Sequence, residues 1–270
     1  MTPKNDETAG QGDSKSDTSA DSRRVTTIER ASDVLFLFAG DKSTLGVTEI
    51  AAELGISKAV VHRILTSLST RDLVSANPAT RKYSLGPAVL ELASRYRDQL
   101  DVRPHAIRSM QRLCDATGET ATLSIRTGWT RSYVEQVTPP NEVKMTVQLG
   151  VQYPLHAGSS SKAFLANLPK SEQESYISSG DLKSLTGDTV TDPAELVRSL
   201  RQIREAGYAF SVGERQSGAA SVAAAIMDGN LPVAVISICG PLERFKNNRD
   251  AAARLLVAET NQISALLGPS

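Results

Sequence analysis

Only two cysteines occur in the 270 residues, Cys114 and Cys239, far apart and without Cys-x-x-Cys spacing. That excludes a disulfide framework or a clustered zinc site, so two buried free thiols are expected, with no metal and no cofactor. No apolar run is long enough to span a bilayer, and the N-terminus has no signal-peptide core, so no membrane partner is expected and the cytoplasm is the expected location. Net charge is absent as well: 30 Lys and Arg balance 30 Asp and Glu. Overall charge therefore argues for no class of partner, but its distribution does. Residues 1–22 contain no Ile, Leu, Val or aromatic residue and hold two Lys against five Asp and Glu. Such a segment cannot bury enough apolar surface to offset its ordering entropy, so a disordered tail is expected. Residues 23–86 hold nine Lys and Arg against six Asp and Glu, a mildly basic module that suits DNA. The length allows two domains with separate cores.

What is present is organised around Glu49–Leu68. Ile50 and Leu54 lie four apart, Gly55 interrupts the period, and Val61, Ile64, Leu65 and Leu68 then follow the i, i+3, i+4, i+7 pattern of a buried helical stripe. A steep turn between two helices needs a residue that tolerates a left-handed backbone, which Gly55 supplies. Gly46 precedes the first helix as N-cap, with Glu49 placed to return a bond to its N–H. Ile28, Val34, Leu35 and Phe38 predict an earlier helix over Thr27–Phe38. Downstream, Leu73–Ala76 and Arg81–Gly86 flank an Asn77-Pro78 turn and predict a hairpin. Three helices and a basic hairpin make a winged helix-turn-helix over residues 23–86. A helix over 87–100 then reads as a linker, and residues 101–270 as a second domain.

In that second domain, Ile107, Met110 and Cys114 mark a helix that Gly118 stops. The period then changes to two: strands are expected around Leu123–Ile125, Arg131–Val137 and Lys144–Leu149. Small polar residues Ser159–Ser161 open a helix that closes at Pro169. Asp192-Pro193-Ala194-Glu195 offers cap, N1 proline and capping-box Glu for another. Tyr208–Val212, Ala219–Met227 and Pro232–Cys239 predict further strands, the last two around Asp228-Gly229-Asn230, and a final helix spans about 248–267. The fold class is α+β, with helices against a largely antiparallel sheet.

Taken together, several pieces resemble the IclR family of bacterial transcriptional regulators across about residues 25–267. They are Val61-His62-Arg63-Ile64-Leu65, Tyr83-Ser84-Leu85-Gly86, Pro154-Leu155-His156-Ala157 with Lys162-Ala163, Ile203-Arg204 with Gly207-Tyr208-Ala209, Ala223–Asp228, and Ile236–Pro241. The resemblance implies an N-terminal winged helix-turn-helix, a GAF-like effector domain used also for oligomerisation, and assembly as a homodimer or dimer of dimers. It implies binding of a pseudopalindromic double-stranded DNA operator under control of a small-molecule effector, expected to be a carboxylate. Ser57, Lys58, Ala59, Val60, His62 and Arg63 are the expected groove-facing positions, with Arg81 and Lys82 on the wing. Where the family often has Ser-Thr, this chain has Ala59-Val60, so these two would touch thymine methyls or leave base contacts to their neighbours. The effector pocket matches Ser159, Ser160, Ser211, Ser221, Ser237 and Cys239. Ser159 and Ser160 near a helix N-terminus favour an anion without a nearby arginine, and the lining is expected to be neutral hydroxyls throughout. A rival reading takes Ser159-x-x-Lys162 as nucleophile and base of a serine hydrolase or acyl transferase, but no companion motif accompanies it. A third reads the winged helix as a protein-interaction module.

Overall fold

The computed structural model describes residues 17–40, 42–98, 102–245 and 247–267. The chain divides into two compact units, Met1–Tyr96 and Arg97–Ser270.

The first unit runs α1 (Asp17–Leu37), β1 (Leu45–Gly46), α2 (Val47–Leu54), α3 (Lys58–Ser69), β2 (Val74–Asn77) and β3 (Lys82–Leu85), and α4 (Ala88–Asp98) crosses its boundary. Its core gathers Val34 of α1, Phe38 just after it, Ile50 of α2, Val61, Ile64, Leu65 and Leu68 of α3, and Leu45 and Val74 from the strands. The predicted α3 stripe is thus the buried one. Gly55 ends α2 with φ 64°, the left-handed conformation expected of it. Gly46 N–H donates to Glu49 Oε2 at 2.7 Å, closing the expected cap. β1 joins the hairpin, giving a three-stranded antiparallel sheet in the order β1-β3-β2. Asn77 Oδ1 accepts the N–H groups of Ala79 and Thr80, which folds the tip of the wing.

The first helix is longer than its apolar spacing indicates. Of the expected disordered tail, residues 1–16 lie outside the described residues, but residues 17–22 form the opening turns of α1. Extending an existing helix is far cheaper than nucleating one.

The second unit contains α5 (Arg103–Thr117), β4 (Thr120–Thr127), β5 (Thr130–Val137), β6 (Gln152–Pro154), α6 (Ser159–Asn167), α7 (Lys170–Ser178), α8 (Pro193–Ala206), β7 (Ala209–Val212), β8 (Ala219–Asp228), β9 (Leu231–Pro241), α9 (Leu242–Phe245) and α10 (Arg249–Leu267). Six strands form one antiparallel sheet in the order β6-β5-β4-β9-β8-β7. Period-two alternation sends Leu123, Ile236, Ile238 and Val222 to a face covered by α5 and α10, through Met110, Leu113, Leu256 and Ile263. The other face carries Ala223 and Val235 and packs against Phe164 of α6 and Leu196, Leu200 and Ile203 of α8. This places α6 over the polar end of that face. The α8 start is as predicted, Asp192 accepting the Glu195 N–H at 2.6 Å.

Lys144–Leu149 is not a strand, although its residues alternate. Among the described residues one isolated bridge, Tyr133 to Leu149, joins its backbone to the sheet, and the Thr120 hydroxyl donates to the Met145 carbonyl at 2.6 Å. The Gln136 side-chain amide supplies the remaining pairing, accepting the Val147 N–H at 3.0 Å and donating to the Val147 carbonyl at 3.2 Å. A side chain stands where a neighbouring strand's peptide would. α7 and the single-turn α9 have no counterpart in the sequence reading.

Candidate functional sites

On the first unit, α3 turns one face into the core and leaves Lys58, Ala59, His62, Arg63, Thr66 and Ser67 exposed. Ser57 is the N-cap, and its hydroxyl accepts the Val60 N–H at 3.4 Å, so it orders the start of α3. Val60 departs from the expectation: it is half-buried against the core, in a groove it shares with Thr27, Arg30, Ala31 and Arg63. Its apolar side chain therefore has a packing partner in α1, whereas Ala59 and His62 remain on the open face. Thr66 Oγ1 donates to the His62 carbonyl at 2.8 Å and lies 3.4 Å from its Nδ1.

The wing splits its two cations. Arg81 stands exposed at the tip with φ 55°. Lys82 is instead held at 3.3 Å from Glu49. The Gly46 N–H and the Lys82 ammonium together keep the Glu49 carboxyl below its usual range.

On the second unit, five of the six expected pocket residues surround one cavity. Ser159, Ser160, Ser211, Ser221 and Cys239 line it, together with Arg131, Tyr133, Glu214 and Arg215. Three hydroxyls are knitted together: Ser159 Oγ meets Ser221 Oγ at 2.7 Å, Ser221 Oγ meets Ser211 Oγ at 3.2 Å, and Ser211 Oγ accepts the Ser159 N–H at 2.9 Å. Ser237 shares the sheet face but not the cavity; its hydroxyl is 2.6 Å from Thr122 Oγ1 in a buried pair. Cys239 is buried in the wall, and desolvation pushes its thiol up to about 12, so the neutral form is present.

The expectation of neutral hydroxyls without an arginine does not hold. Arg131 is 1% exposed. It donates to Ser161 Oγ at 3.0 Å and Ser124 Oγ at 3.4 Å, and its guanidinium carbon sits 4.1 Å above the Tyr133 ring and 4.9 Å from that of Tyr153. Among the described residues no carboxylate pairs with it. Burial lowers its pKa, yet a guanidinium stays protonated in proteins, so a buried positive charge stands at the cavity wall. Arg215 is half-buried and lies against the same two rings, 5.6 Å from Tyr133 and 5.3 Å from Tyr153. The signal was present in the sequence: Arg131 and Tyr133 are two apart on a strand and share a face. Reading that strand by its apolar residues alone passed over them.

The Ser-x-x-Lys spacing does not assemble a nucleophile with its base. Lys162 Nζ is paired with Glu214 Oε1 at 2.5 Å, both side chains buried, while Glu214 Oε2 accepts the Gly158 N–H at 3.0 Å. His156 is equally engaged: Nδ1 lies 2.7 Å from Tyr176 OH and Nε2 2.9 Å from the Lys183 carbonyl. Among the described residues no cluster of His, Cys, Asp and Glu could hold a metal ion, and no helix is long and apolar enough to cross a membrane.

Comparison with known proteins gives consistent matches over both units. The model for the C-terminal region described as "Bacterial transcriptional regulator IclR C-terminal" matches residues 94–265, and that for the "IclR helix-turn-helix domain" matches residues 27–78. The glycerol operon regulatory protein of Streptomyces griseus is 32% identical over 237 residues, covering 87% of this chain and 92% of that protein. The transcriptional regulator KipR of Bacillus subtilis is 33% identical over 209 residues, covering 77% and 83%. A solved IclR-type transcriptional regulator from Alicyclobacillus acidocaldarius superposes with a TM-score of 0.81 at 32% identity, covering 90% of this chain and 99% of that one.

Proposed function

Because the chain belongs to the IclR family, and is therefore a DNA-binding transcriptional regulator and not an enzyme, we propose that it responds to a small organic acid held in the Ser159–Ser211–Ser221–Arg131 cavity. The observation that carries this reading is Arg131. Taking a charge out of water costs several kcal/mol unless an opposite charge meets it, and no carboxylate of the described residues does so. An anionic effector would complete the site.

On the first unit, the open face of α3 enters the major groove of an operator, with Lys58, Ala59, His62 and Arg63 closest to base edges and phosphates. Arg81 at the wing tip reaches the backbone; Lys82 supports the wing through Glu49. Two copies reading a pseudopalindrome require a homodimer or a dimer of dimers. Ile28 and Phe36 of α1 and Leu90 and Leu92 of α4 are large apolar residues left exposed, which suits coverage by a second copy. The controlled genes are catabolic or metabolic ones. Acid binding shifts the population between operator-competent and incompetent assemblies, with α4 as the connecting segment.

The test is fluorescence anisotropy with operator DNA, titrated with salt and with candidate acids. A specific complex that loosens with salt, and whose affinity changes on addition of an acid in the wild type but not in Ser159→Ala, supports the reading. Equal affinity for operator and competitor DNA would overturn it.

A further inference from the structure

Two cations share the cavity, and among the described residues no anion is free to answer them. Arg131 and Arg215 lie over the same pair of rings, which are themselves in edge contact with centroids 5.8 Å apart. The one carboxylate in the wall, Glu214, already has both oxygens occupied, by Lys162 Nζ and by the Gly158 N–H. The wall thus carries a neutral Lys162–Glu214 pair and two uncompensated guanidiniums. Beside burial, the Arg215 charge also lowers the Arg131 pKa, and such repulsion is poorly screened where one of the two charges is fully buried. A single carboxylate answers one guanidinium; two carboxylates on one molecule answer both.

We propose that the cavity takes a short dicarboxylate, one carboxylate meeting Arg131 and the other Arg215 over the Tyr133 and Tyr153 rings. The assignment rests on the reading of this cavity as the effector site and adds the charge and size of its occupant. The size follows from the space available. The cavity is narrow, with room for about one water as it stands, which favours a short acid over a bulky one. Orientation comes from the serines: the Ser159, Ser211 and Ser221 hydroxyls can turn to donate to the carboxylate that Arg131 holds. The Ser160 N–H, which has no acceptor among the described residues, adds a donor at the same end.

The experiment is calorimetric titration of the full-length protein with malonate and succinate, against acetate and propionate, at constant ionic strength. Malonate or succinate should bind about tenfold or more tighter than propionate, the worth of one additional charge-assisted contact. In Arg215→Gln that ratio should fall to about one. Arg215 is chosen because it is half-buried and neutralising it relieves repulsion, so the variant should fold, with a Tm at or above the wild type in the absence of acid. Equal affinities of mono- and dicarboxylates in the wild type would overturn the assignment while leaving the effector reading intact. Retention of the full ratio in Arg215→Gln would do the same. Binding of neither class would overturn both.

Discussion

Lys82 Nζ lies 3.3 Å from each carboxylate oxygen of Glu49, so the wing is tied to the first helix of the helix-turn-helix. The same carboxylate caps that helix through the Gly46 N–H. One acidic side chain thus fixes both the start of α2 and the position of the wing beside it. Replacing Glu49 by Gln should lower Tm more than replacing Lys82 by Gln, since the first change weakens two contacts and the second only one. Thermal melts of both variants and the double variant would show it. A larger loss in Lys82→Gln contradicts the shared role.

Gly86 closes the wing where the chain turns toward α4. A Cβ there would stand 2.2 Å from the Asp72 carbonyl oxygen, a backbone atom that cannot swing aside. Gly86→Ala should cost about 1–3 kcal/mol in urea unfolding, as overpacking does. Gly55→Ala meets nothing within 4 Å but keeps φ at 64°, so it should cost about 1–2 kcal/mol through backbone strain alone. A neutral Gly86→Ala would show that the approach is not obligatory.

Val60 and Arg63 are separable by what they lose. Val60 is half-buried toward α1, so Val60→Ala should remove roughly 0.5–1 kcal/mol of stability and leave operator discrimination intact. Arg63→Ala should weaken DNA binding with little change in stability, and reduce the slope of log K against log salt by about 1 if it meets a phosphate. Anisotropy at several salt concentrations, beside denaturant melts, distinguishes the two. A change in base preference in Val60→Ala would return Val60 to the groove.

The Lys162–Glu214 pair is buried at the start of α6, where removing one partner strands the other. Lys162→Met should destabilise by about 3–5 kcal/mol. The double variant Lys162→Met/Glu214→Gln should recover part of that loss, because no buried charge is then unpaired, although the Gly158 N–H keeps a weaker acceptor. Equal stabilities of single and double variants would show that the charge itself is not at issue.

Cys239 makes stability depend on alkaline pH. Its folded pKa, about 12, is raised above the reference 9.0 by burial. The folded state therefore holds the proton more tightly than the unfolded one. The stability this contributes is complete below pH 9 and is lost as pH rises toward the folded value, by up to about 1.4 kcal/mol per pH unit. Between pH 9 and 11, Tm of the wild type should fall more steeply than that of Cys239→Ser. Parallel falls would mean that the thiol ionises in the folded protein near its ordinary pKa.

Local chemistry made much of this protein legible without coordinates. Gly55, Gly46 with Glu49, and the Val61–Leu68 stripe each constrain only a few neighbouring residues, and each behaves in the structure as its own spacing requires. The same holds for Asp192-Pro193 at the start of α8 and for the long strands of the second unit. Lys144–Leu149 shows the limit of such reasoning. Alternation prepares a segment to be a strand, but pairing needs a free neighbouring edge, and here the Gln136 amide takes that place.

The sequence by itself determined the winged helix-turn-helix and the α+β class, because caps, turns and periodicities act over a handful of residues. Only the tertiary structure decided the electrostatics of the cavity. Arg131, Ser159, Glu214 and Arg215 come from three separate parts of the chain, and whether a charge is answered depends on what folds against it. Glu214 was met by Lys162 and by the Gly158 N–H, so it could not meet Arg131. A pocket that reads as neutral along the chain is, once folded, positively charged.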